Sequence, residues 1–445
     1  MLSVILWIIA TSGGRHVFVK EVLGDAYDSQ AEHLLRGDPG VDLDAIRPEA
    51  ILIGGKPRMY FGPFPAFFRI PLNLIYPAGR GHWSRVSGFW AAEIALFAFA
   101  GVVAQSLRAS SLSSRSRNWI GNASIASFVF GSPLIFLLGN LSIYNEAIIW
   151  GFAWSVAALY FTIRARSATA RGLTRPLLGF SFCAAGALLS RATFGAPLVL
   201  IAGFLAVRVA REDRARQLAA LLVPLVAGLA FYLLLSYAKF GTWTGEDYAH
   251  YINSVHREFA HEHGVFDLRR VPQSLADYFS LRPPAIDRRP PFVKVDRHPY
   301  SYPSLYSLPF SETFLPVTWS SSWLLFGACI GILCLFRRNR SDMFDRLAAA
   351  ALFVQFISIL SFFALAQRYA ADLYPFLIFC FTVFLRAGPL GWQRIVLVGL
   401  TTVSIVVNFL ATACWIGSDG NLPQETRAFW NAVGGKTLAA HSQRK

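Results

Sequence analysis

The sequence predicts an all-α polytopic membrane protein, and its composition is the first reason. Of 445 residues, 54% are hydrophobic and 15% are charged, and the mean hydropathy is +0.44. Soluble domains carry about 25% charged residues. The second reason is the length of the apolar runs. Backbone groups in lipid must bond internally, so each run is expected to be a helix.

Hydropathy windows divide the chain into about eleven transmembrane helices, most of them near the ~20 residues that cross a bilayer. They lie at about 2–12, 87–106, 119–138, 146–163, 176–190, 193–207, 218–238, 319–336, 347–366, 371–385 and 394–415. The first run, "MLSVILWIIATS", is too short to cross about 30 Å and has no basic flank. We therefore expect the natural start of the chain to lie further upstream.

Arginine-rich linkers follow every second span, as Arg108, Arg164, Arg208 and Arg337 illustrate. Positive-inside topology places these linkers in the cytoplasm. The net charge of +15 is therefore a topology signal and does not indicate nucleic-acid binding. Two long loops, about 13–86 and 239–318, then face outward. We expect these loops to carry short interfacial helices.

The domain prediction is one transmembrane module over 1–416, followed by a short polar tail over 417–445. Five cysteines lie in or beside apolar runs, and their spacing is typical of neither a metal site nor a disulfide framework. The second loop contains "GTWTGEDYAHYINSVHREFAHEHG", which is rich in aromatic residues and His without a metal-binding spacing. We interpret this segment as a gate over a cavity.

Acidic residues concentrate in "LGDAYDSQAEHLLRGDPGVDLD", which begins at Leu23. In a structural interpretation, Asp25 is the N-cap of a short helix, Asp28 is at N3, and Gly37 ends it. An apolar stripe would then lie on the membrane surface, formed by Tyr27, Ala31, Leu34 and Leu35. In a functional interpretation, one carboxylate is a general base at the lipid–water boundary.

The next motif is "GGKPRMYFGPFPAFFRIPL", from Gly54 to Leu72. Its prolines predict that no continuous helix forms, and its phenylalanines suit an interfacial position. One interpretation is a loop anchored at the membrane surface. The other is a seat for an anionic lipid headgroup, with Lys56 and Arg58 facing phosphate. Tyr60 is a further candidate substrate-binding residue.

The short outer turn "LGNLSIYNEAIIWG" contributes Tyr144 and Glu146. Glu146 stands in the first turn of a helix, where the helix dipole favours a negative charge. The same turn also brings a second acid to the side of the membrane that carries Asp25. Both interpretations of Glu146 stay open.

Arg191 and Arg368 lie in very short outer turns, against the positive-inside pattern. They either extend to the interface or neutralise a phosphate leaving group beside Tyr369. Glu93 lies inside the second span, where a carboxylate costs roughly 2.5–3.5 kcal/mol. We expect it to face a cavity or an outer-loop arginine. Asn408 is expected to bond between helices.

Four features occur in order: an aspartate after the first span, "GGKPRMYFGPFPAFFRIP", "YNEAIIWG" at the fourth span, and "QRYAADLYPF" at a late one. Together they resemble the bacterial GT-C membrane glycosyltransferases, which include protein O-mannosyltransferases and lipid A aminoarabinose transferases. The resemblance covers most of the transmembrane part, and the order of the motifs is its most specific feature. It implies a GT-C-like fold in the bacterial inner membrane and a polyprenyl-phosphate-linked sugar used on the outer face.

By this resemblance, Asp25 matches the catalytic acid of the first outer loop and Glu146 the second acidic position. The family often has paired acids at these motifs, whereas this chain has Asp-Ala-Tyr-Asp and a single Glu. Metal use is therefore open, and Asp28 and Glu146 are the candidates for holding Mg or Mn. The predicted substrate-binding residues are Asp28, Lys56, Arg58, Tyr60, Glu93, Tyr144, Arg191, Arg368 and Tyr369.

In the predicted reaction, Asp25 takes a proton from an acceptor hydroxyl on a glycan, lipid or protein. Arginine and lysine side chains stabilise the leaving polyprenyl phosphate. The alternative is a transporter or lipid flippase, which predicts midplane charges, discontinuous helices in matched halves and an internal repeat. Apart from Glu93 the spans are nearly free of charge, and no repeat is evident. A non-catalytic assembly subunit is a third interpretation.

Overall fold

The computed structural model describes residues 1–209, 213–243, 245, 248–295, 310–312, 314–337 and 341–436. Parts of the 239–318 loop and of the 417–445 tail lie outside the described residues. The helices are α1 (Leu2–Ala10), α2 (Ala26–Leu35), α3 (Leu43–Ile46), α4 (Phe64–Ile75), α5 (Ser84–Arg108), α6 (Ser114–Phe130), α7 (Pro133–Gly139), α8 (Ile143–Ser167), α9 (Thr174–Ser190), α10 (Ala192–Val207), α11 (Arg214–Phe240), α12 (Ser254–His263), α13 (Val271–Tyr278), α14 (Val317–Ser320), α15 (Ser322–Phe336), α16 (Met343–Leu360), α17 (Tyr374–Ala387), α18 (Gly391–Ser418) and α19 (Gln424–Val433).

Eight helical segments within the described residues are long and apolar enough to cross a membrane. They are Ser84–Arg108, Ser114–Gly139, Ile143–Ser167, Ala170–Ser190, Arg214–Phe240, Met343–Leu360, Gln367–Ala387 and Gly391–Ser418. The chain is thus an all-α, multi-pass membrane protein, as the composition predicted.

Three of the predicted spans are helices shorter than a bilayer: α1 has 9 residues, α10 has 16 and α15 has 15. At 1.5 Å per residue, α10 is about 24 Å long, less than the ~30 Å hydrocarbon core. Arg191 is the single residue between the end of α9 at Ser190 and the start of α10 at Ala192. The predicted spans 176–190 and 193–207 placed a short turn at this point, and the structure has it there.

The span Ser114–Gly139 is broken between α6 and α7, where Pro133 starts a new helix. Carbonyls at a break inside a membrane need partners, because no water is there to bond them. Asn408 Nδ2 donates to the carbonyls of Phe130 and Ser132 at 2.7 and 2.8 Å, and Trp323 Nε1 donates to Gly131 at 2.8 Å. The expected interhelical role of Asn408 is confirmed.

Among the described residues, six short strands pair outside the bundle. β1 (Ile51–Ile53) and β2 (Lys56–Arg58) form an antiparallel hairpin, with Ile51 opposite Arg58. β3 (Ala285–Ile286) and β4 (Val293–Lys294) are also antiparallel. β5 (Phe310–Ser311) runs parallel to β6 (Ala364–Leu365). The last pair ties the second long loop to the turn that precedes Arg368.

Both long loops carry short helices at one end of the bundle, which we call the loop end. Asp25 is at the N-cap of α2, as predicted, and Gly37 follows the helix with a φ of +74°. The apolar side of α2 packs on protein, however: Tyr27 and Ala31 are buried beside Ile143 of α8. The expected membrane-facing stripe is therefore wrong for these two residues.

The prolines were predicted to block a continuous helix in the Gly54–Leu72 motif, and this is wrong for its second part, where α4 runs through Pro65 and Pro71. α4 starts at Phe64 with Pro65 in its first turn, where a proline removes no helical hydrogen bond. Pro71 lies inside the helix and is accommodated. Gly62 lets the chain enter α4 directly against the carbonyls of Leu189 and Ser190, where a side chain would clash.

Candidate active site at the loop end

Asp25 is the one predicted acid that is open to solvent. Its side chain is 28% exposed, and its Oδ2 atom lies 2.7 Å from Lys20 Nζ. Although it occupies the N-cap position, its carboxylate makes no hydrogen bond to the backbone of α2. The capping interpretation therefore explains the position of Asp25 at the start of α2, but it does not explain why a carboxylate is needed there.

Asp28 and Glu146 come together around a residue that sequence reasoning missed, Arg69 of α4. Arg69 is 0% exposed. Its Nη1 atom lies 2.5 Å from Asp28 Oδ2, and its Nη2 atom lies 2.5 Å from Glu146 Oε2. Both carboxylates are buried as well. The short loop-end helices α2 and α4 are thus joined to the transmembrane helix α8 by a buried ionic triad.

The same guanidinium reaches the backbone next to Asp25. Arg69 Nη1 donates to the carbonyl of Gly24 at 2.9 Å, and Nη2 bonds Ser84 Oγ at 3.0 Å. Burying three charges is favourable only when their geometry and hydrogen bonds are good. The triad therefore fixes the turn that presents Asp25.

A divalent cation bridging Asp28 and Glu146 does not fit this arrangement. The Arg69 guanidinium lies between the two carboxylates and carries the positive charge that a metal would supply. Within the described residues, no group of three or more His, Cys, Asp or Glu side chains is placed to hold a metal ion.

A second buried pair holds the start of the first loop. Arg85 Nε lies 2.7 Å from Glu21 Oε1, and its Nη2 atom donates to Thr426 Oγ1 of α19 at 2.7 Å. Burial raises the pKa of Glu21, and the neighbouring Arg85 opposes that rise. This pair was also missing from the sequence prediction.

Four predicted substrate-binding residues meet in one cluster. The Arg368 guanidinium lies 4.8 Å from the ring centre of Tyr144 and 5.0 Å from that of Tyr369. Arg191 lies 5.2 Å from the same Tyr369 ring. Such cation–π contacts are more favourable when the charge is partly desolvated. The structure thus brings the two outer arginines to one place.

Both arginines already have carboxylate partners. Arg368 makes a forked pair with Glu312, at 2.5 and 2.7 Å. Arg191 Nε lies 3.6 Å from Asp372 Oδ1, which also accepts a hydrogen bond from Thr193. Glu312 is 44% exposed, whereas Asp372 is buried. Glu312 is therefore the more easily displaced of the two partners.

Two cavities at the loop end share Tyr144, Glu312 and Arg368 in their walls. The larger, about 320 Å³, also has Val22 and Asn140 in its wall. The smaller measures about 160 Å³. Asp25 lines neither cavity, but it follows Val22 by three residues. The carbonyl of Val22 accepts a hydrogen bond from the Ile143 amide at 3.1 Å.

Tyr60 lies in the wall of the smaller cavity, where it donates to the buried Glu49 carboxylate at 2.8 Å. The Tyr251 hydroxyl of the second loop donates to the same oxygen. Glu49 and Tyr251 were not predicted, because only folding brings residues 202 positions apart into contact.

Three other predicted residues lie apart from the cluster. Lys56 is exposed on the β1–β2 hairpin. Arg58 is buried and donates to Asp38 Oδ1 at 3.1 Å. Glu93, expected to face a cavity or an outer-loop arginine, instead accepts a hydrogen bond from Ser3 of α1 at 2.9 Å.

The solved structures that resemble the chain are membrane glycosyltransferases. No family model and no curated protein matches it significantly. The oligosaccharyltransferase of Archaeoglobus fulgidus in its apo form is 14% identical, with a TM-score of 0.44, and the alignment covers 99% of this chain and 56% of that one. The form tethered to an acceptor peptide gives 14% and 0.45, covering 100% and 59%. ArnT from Cupriavidus metallidurans gives 12% and 0.31, covering 96% and 82%.

These structural neighbours are GT-C glycosyltransferases. The chain spans somewhat more than half the length of the archaeal proteins.

Proposed function

We propose that the chain is a membrane glycosyltransferase that moves a sugar from a polyprenyl-phosphate donor to an acceptor hydroxyl. The observation that carries the proposal is the contrast among the predicted acids: Asp25 is partly open, whereas Asp28 and Glu146 are buried against Arg69. A general base must reach the proton that it removes. Asp25 is open to solvent and can meet that condition. Its turn is held by the hydrogen bond from Arg69 to the Gly24 carbonyl.

In the proposed reaction, the Asp25 carboxylate takes the proton of the acceptor hydroxyl while that oxygen attacks the anomeric carbon of the donor. The bond between the anomeric carbon and the phosphate oxygen breaks, and its electrons leave with the polyprenyl phosphate. The new glycosidic bond replaces the bond that was lost. This step requires a cation near the leaving phosphate.

Arg368 is the proposed phosphate ligand. Its guanidinium is held between two tyrosine rings, which leaves its fork directed at Glu312. The donor phosphate is a diester with one negative charge, like a carboxylate, and its two free oxygens can accept the same pair of guanidinium hydrogen bonds. The donor phosphate would therefore take the place of Glu312, with Arg191 as a second cation close by.

Glu146 and Asp28 receive positioning roles in this proposal. The sequence resemblance assigned Glu146 to catalysis, but its carboxylate is enclosed with Arg69 and does not face solvent. Together the two acids hold Arg69 against the Gly24 carbonyl, one residue before Asp25. Asp28 and Glu146 would therefore affect sugar transfer by fixing the position of Asp25.

We further propose that the loop end faces the outside of the bacterial inner membrane. The arginine-rich linkers lie at the opposite end of the helices, for example after α5, α8 and α10. Positive-inside topology then puts the loop end on the outer face. A lipid-linked donor can approach that face laterally, and a glycan, lipid or protein acceptor can approach it from outside.

The test is transfer by membranes that contain the full chain and a labelled polyprenyl-phosphate sugar. We expect label to move to acceptor with the natural sequence and not with Asp25→Asn. Asp44→Asn is the matched control, because Asp44 is an exposed acid of the same loop. Equal transfer by Asp25→Asn and the natural sequence would overturn the proposed role of Asp25.

A further inference from the structure

A hairpin of the second long loop carries several exposed cations. We call residues 281–295, which contain β3 and β4, the basic hairpin. Four of these residues are Lys or Arg and one, Asp287, is acidic, so four positive charges and one negative charge leave a net +3. Arg288 and Arg289 are exposed. Lys294 is also exposed, and its Nζ atom lies 3.2 Å from Asp287 Oδ2.

Large apolar side chains of the basic hairpin are exposed beside these cations. Leu281, Ile286 and Phe292 all reach solvent, and Ile286 is 86% exposed. Phe292 has a φ of +67°, in the left-handed region that large residues rarely adopt. Cations next to exposed apolar groups are typical of segments that lie in the membrane interface, where the apolar groups enter the boundary between headgroups and acyl chains.

The position of the basic hairpin on the bundle puts it near that boundary. Val293 belongs to a small apolar cluster with Ala411 of α18, on which Val407 and Leu410 also pack. At 1.5 Å per residue, Ala411 lies about 10 Å before the end of α18 at Ser418. The 28 residues of α18 span about 42 Å, so the helix, when centred, extends about 6 Å beyond each side of a ~30 Å hydrocarbon core. The contact with Ala411 is therefore within about 5 Å of the hydrocarbon boundary.

A further cavity beside the basic hairpin has the same two kinds of surface. It measures about 520 Å³. Arg282 and Lys294 contribute cations to its wall, and Val295 and Phe314 contribute apolar surface. None of its described wall residues lines either of the two cavities that contain Arg368. The basic hairpin is therefore separate from the proposed position of the donor phosphate.

We propose that the basic hairpin binds anionic phospholipid at the membrane surface. Arg288, Arg289 and Lys294 contact the headgroup phosphates, while Ile286 and Phe292 lie among the first carbons of the acyl chains. A lipid with a net negative charge attracts a segment of charge +3, whereas a zwitterionic lipid does so far less. The exposed apolar side chains favour a lipid over a soluble anion. This binding would hold the second long loop at the membrane, and it does not depend on glycosyl transfer.

Hydrogen exchange of residues 281–295 in the full chain tests the proposal without turnover. The chain is placed in phosphatidylcholine nanodiscs, alone or with about 30% phosphatidylglycerol as the anionic lipid. Further samples replace the phosphatidylglycerol with polyprenyl phosphate, or add inorganic phosphate to the buffer. One variant is the double change Arg288→Gln and Arg289→Gln. The other is Phe292→Asn, because asparagine tolerates a positive φ.

The matched control is the double change Arg36→Gln and Arg47→Gln, which removes two exposed arginines from the first long loop. Phosphatidylglycerol should slow exchange of the basic hairpin at least about ten-fold in the natural sequence and in this control, because each cation near an anionic surface strengthens membrane binding several-fold. In both folded hairpin variants, the slowing should fall to about three-fold or less.

Three results would overturn the proposal. In the first, phosphatidylglycerol leaves the exchange of the basic hairpin in the natural sequence unchanged. In the second, it slows exchange equally in the natural sequence and in both folded hairpin variants. In the third, polyprenyl phosphate or inorganic phosphate slows exchange as strongly as phosphatidylglycerol, which would assign the basic hairpin to the donor lipid or to a soluble anion.

Discussion

Arg69 Nη2 and Glu146 Oε2 lie 2.5 Å apart where neither side chain reaches solvent. This pair connects α4 of the first long loop to the first turn of α8 in the bundle. Asp28 of α2 completes it from the other side of the guanidinium. The placement of Asp25 depends on this contact because Arg69 also holds the carbonyl of the preceding residue.

Replacing Arg69 with Ala should strongly destabilise the chain. Removing one partner of a buried ion pair costs about 3–5 kcal/mol, because it leaves an unpaired charge in the interior. Arg69→Lys should recover little, since an ammonium group cannot contact two carboxylates as a fork does. Thermal unfolding in detergent measures the loss. Arg36→Ala is the control, because Arg36 is 72% exposed and 3.8 Å from Glu32. Equal melting temperatures for the Arg69 and Arg36 variants would contradict the structural role of the triad.

Glycosyl transfer should be insensitive to chelators. The two acids predicted to hold a cation are both engaged by Arg69, which supplies the positive charge in their midst. We expect the same transfer rate in excess EDTA as in added Mg²⁺ or Mn²⁺. A loss of activity in EDTA that added cation restores would show that a metal site exists elsewhere or that Arg69 moves aside.

In the natural sequence, Glu312 should compete with the donor phosphate for Arg368 and should therefore weaken donor binding. In Glu312→Gln the neutral amide no longer competes for the guanidinium, so a phosphate should bind Arg368 more easily. We expect a several-fold lower KM for the lipid-linked sugar and an unchanged kcat. The matched control is Glu258→Gln, an exposed acid on α12 of the same loop. A higher KM in Glu312→Gln would mean that Glu312 helps to bind the donor.

The first loop should loosen in acid through Asp38. Partial burial tends to raise the pKa of Asp38, but hydrogen bonds from His33, the Gly40 amide and Arg58 outweigh it and hold the pKa at about 2. A carboxyl with a lowered folded-state pKa stabilises the fold above its ordinary value of 3.8, and that contribution disappears as the pH falls toward 2. The effect is reduced by solvent screening, since the Asp38 side chain is 46% exposed.

Hydrogen exchange of the segment 33–58 at several pH values measures this effect. Protection in the natural sequence should fall between about pH 4 and pH 2. Asp38→Asn should be less protected at neutral pH and should lack that acid-dependent fall. An identical acid-dependent fall in Asp38→Asn would assign the effect to another group.

The membrane spans were predictable because composition and run length determine them directly. The break before Pro133, inside the predicted span 119–138, was not predictable, because it depends on how neighbouring helices pack and hydropathy does not register packing. The alternation of arginine-rich linkers also predicted that Tyr144, Arg191, Arg368 and Tyr369 share one side of the membrane, and these residues meet.

The buried contacts of Arg69 and Glu49 could not be predicted. Arg69 stands in the apolar stretch "PAFFRIPL", where it looks like an interfacial cation, and its two carboxylates are 41 and 77 residues away. The sequence feature that could have pointed to Arg69 is an arginine among apolar residues. Its partners become evident only when α2, α4 and α8 are packed together. The same holds for Glu49, which lies between tyrosines from three elements.

The central claim is that the Asp25 carboxylate performs the proton transfer, and single-turnover kinetics test it most directly. The purified chain is loaded with labelled polyprenyl-phosphate sugar, donor binding is measured, and transfer is then started with acceptor. Asp25→Asn should bind the donor within about two-fold of the natural sequence and transfer it at least ~100-fold more slowly, the usual contribution of a general base. Transfer at the natural rate by donor-loaded Asp25→Asn would contradict the account.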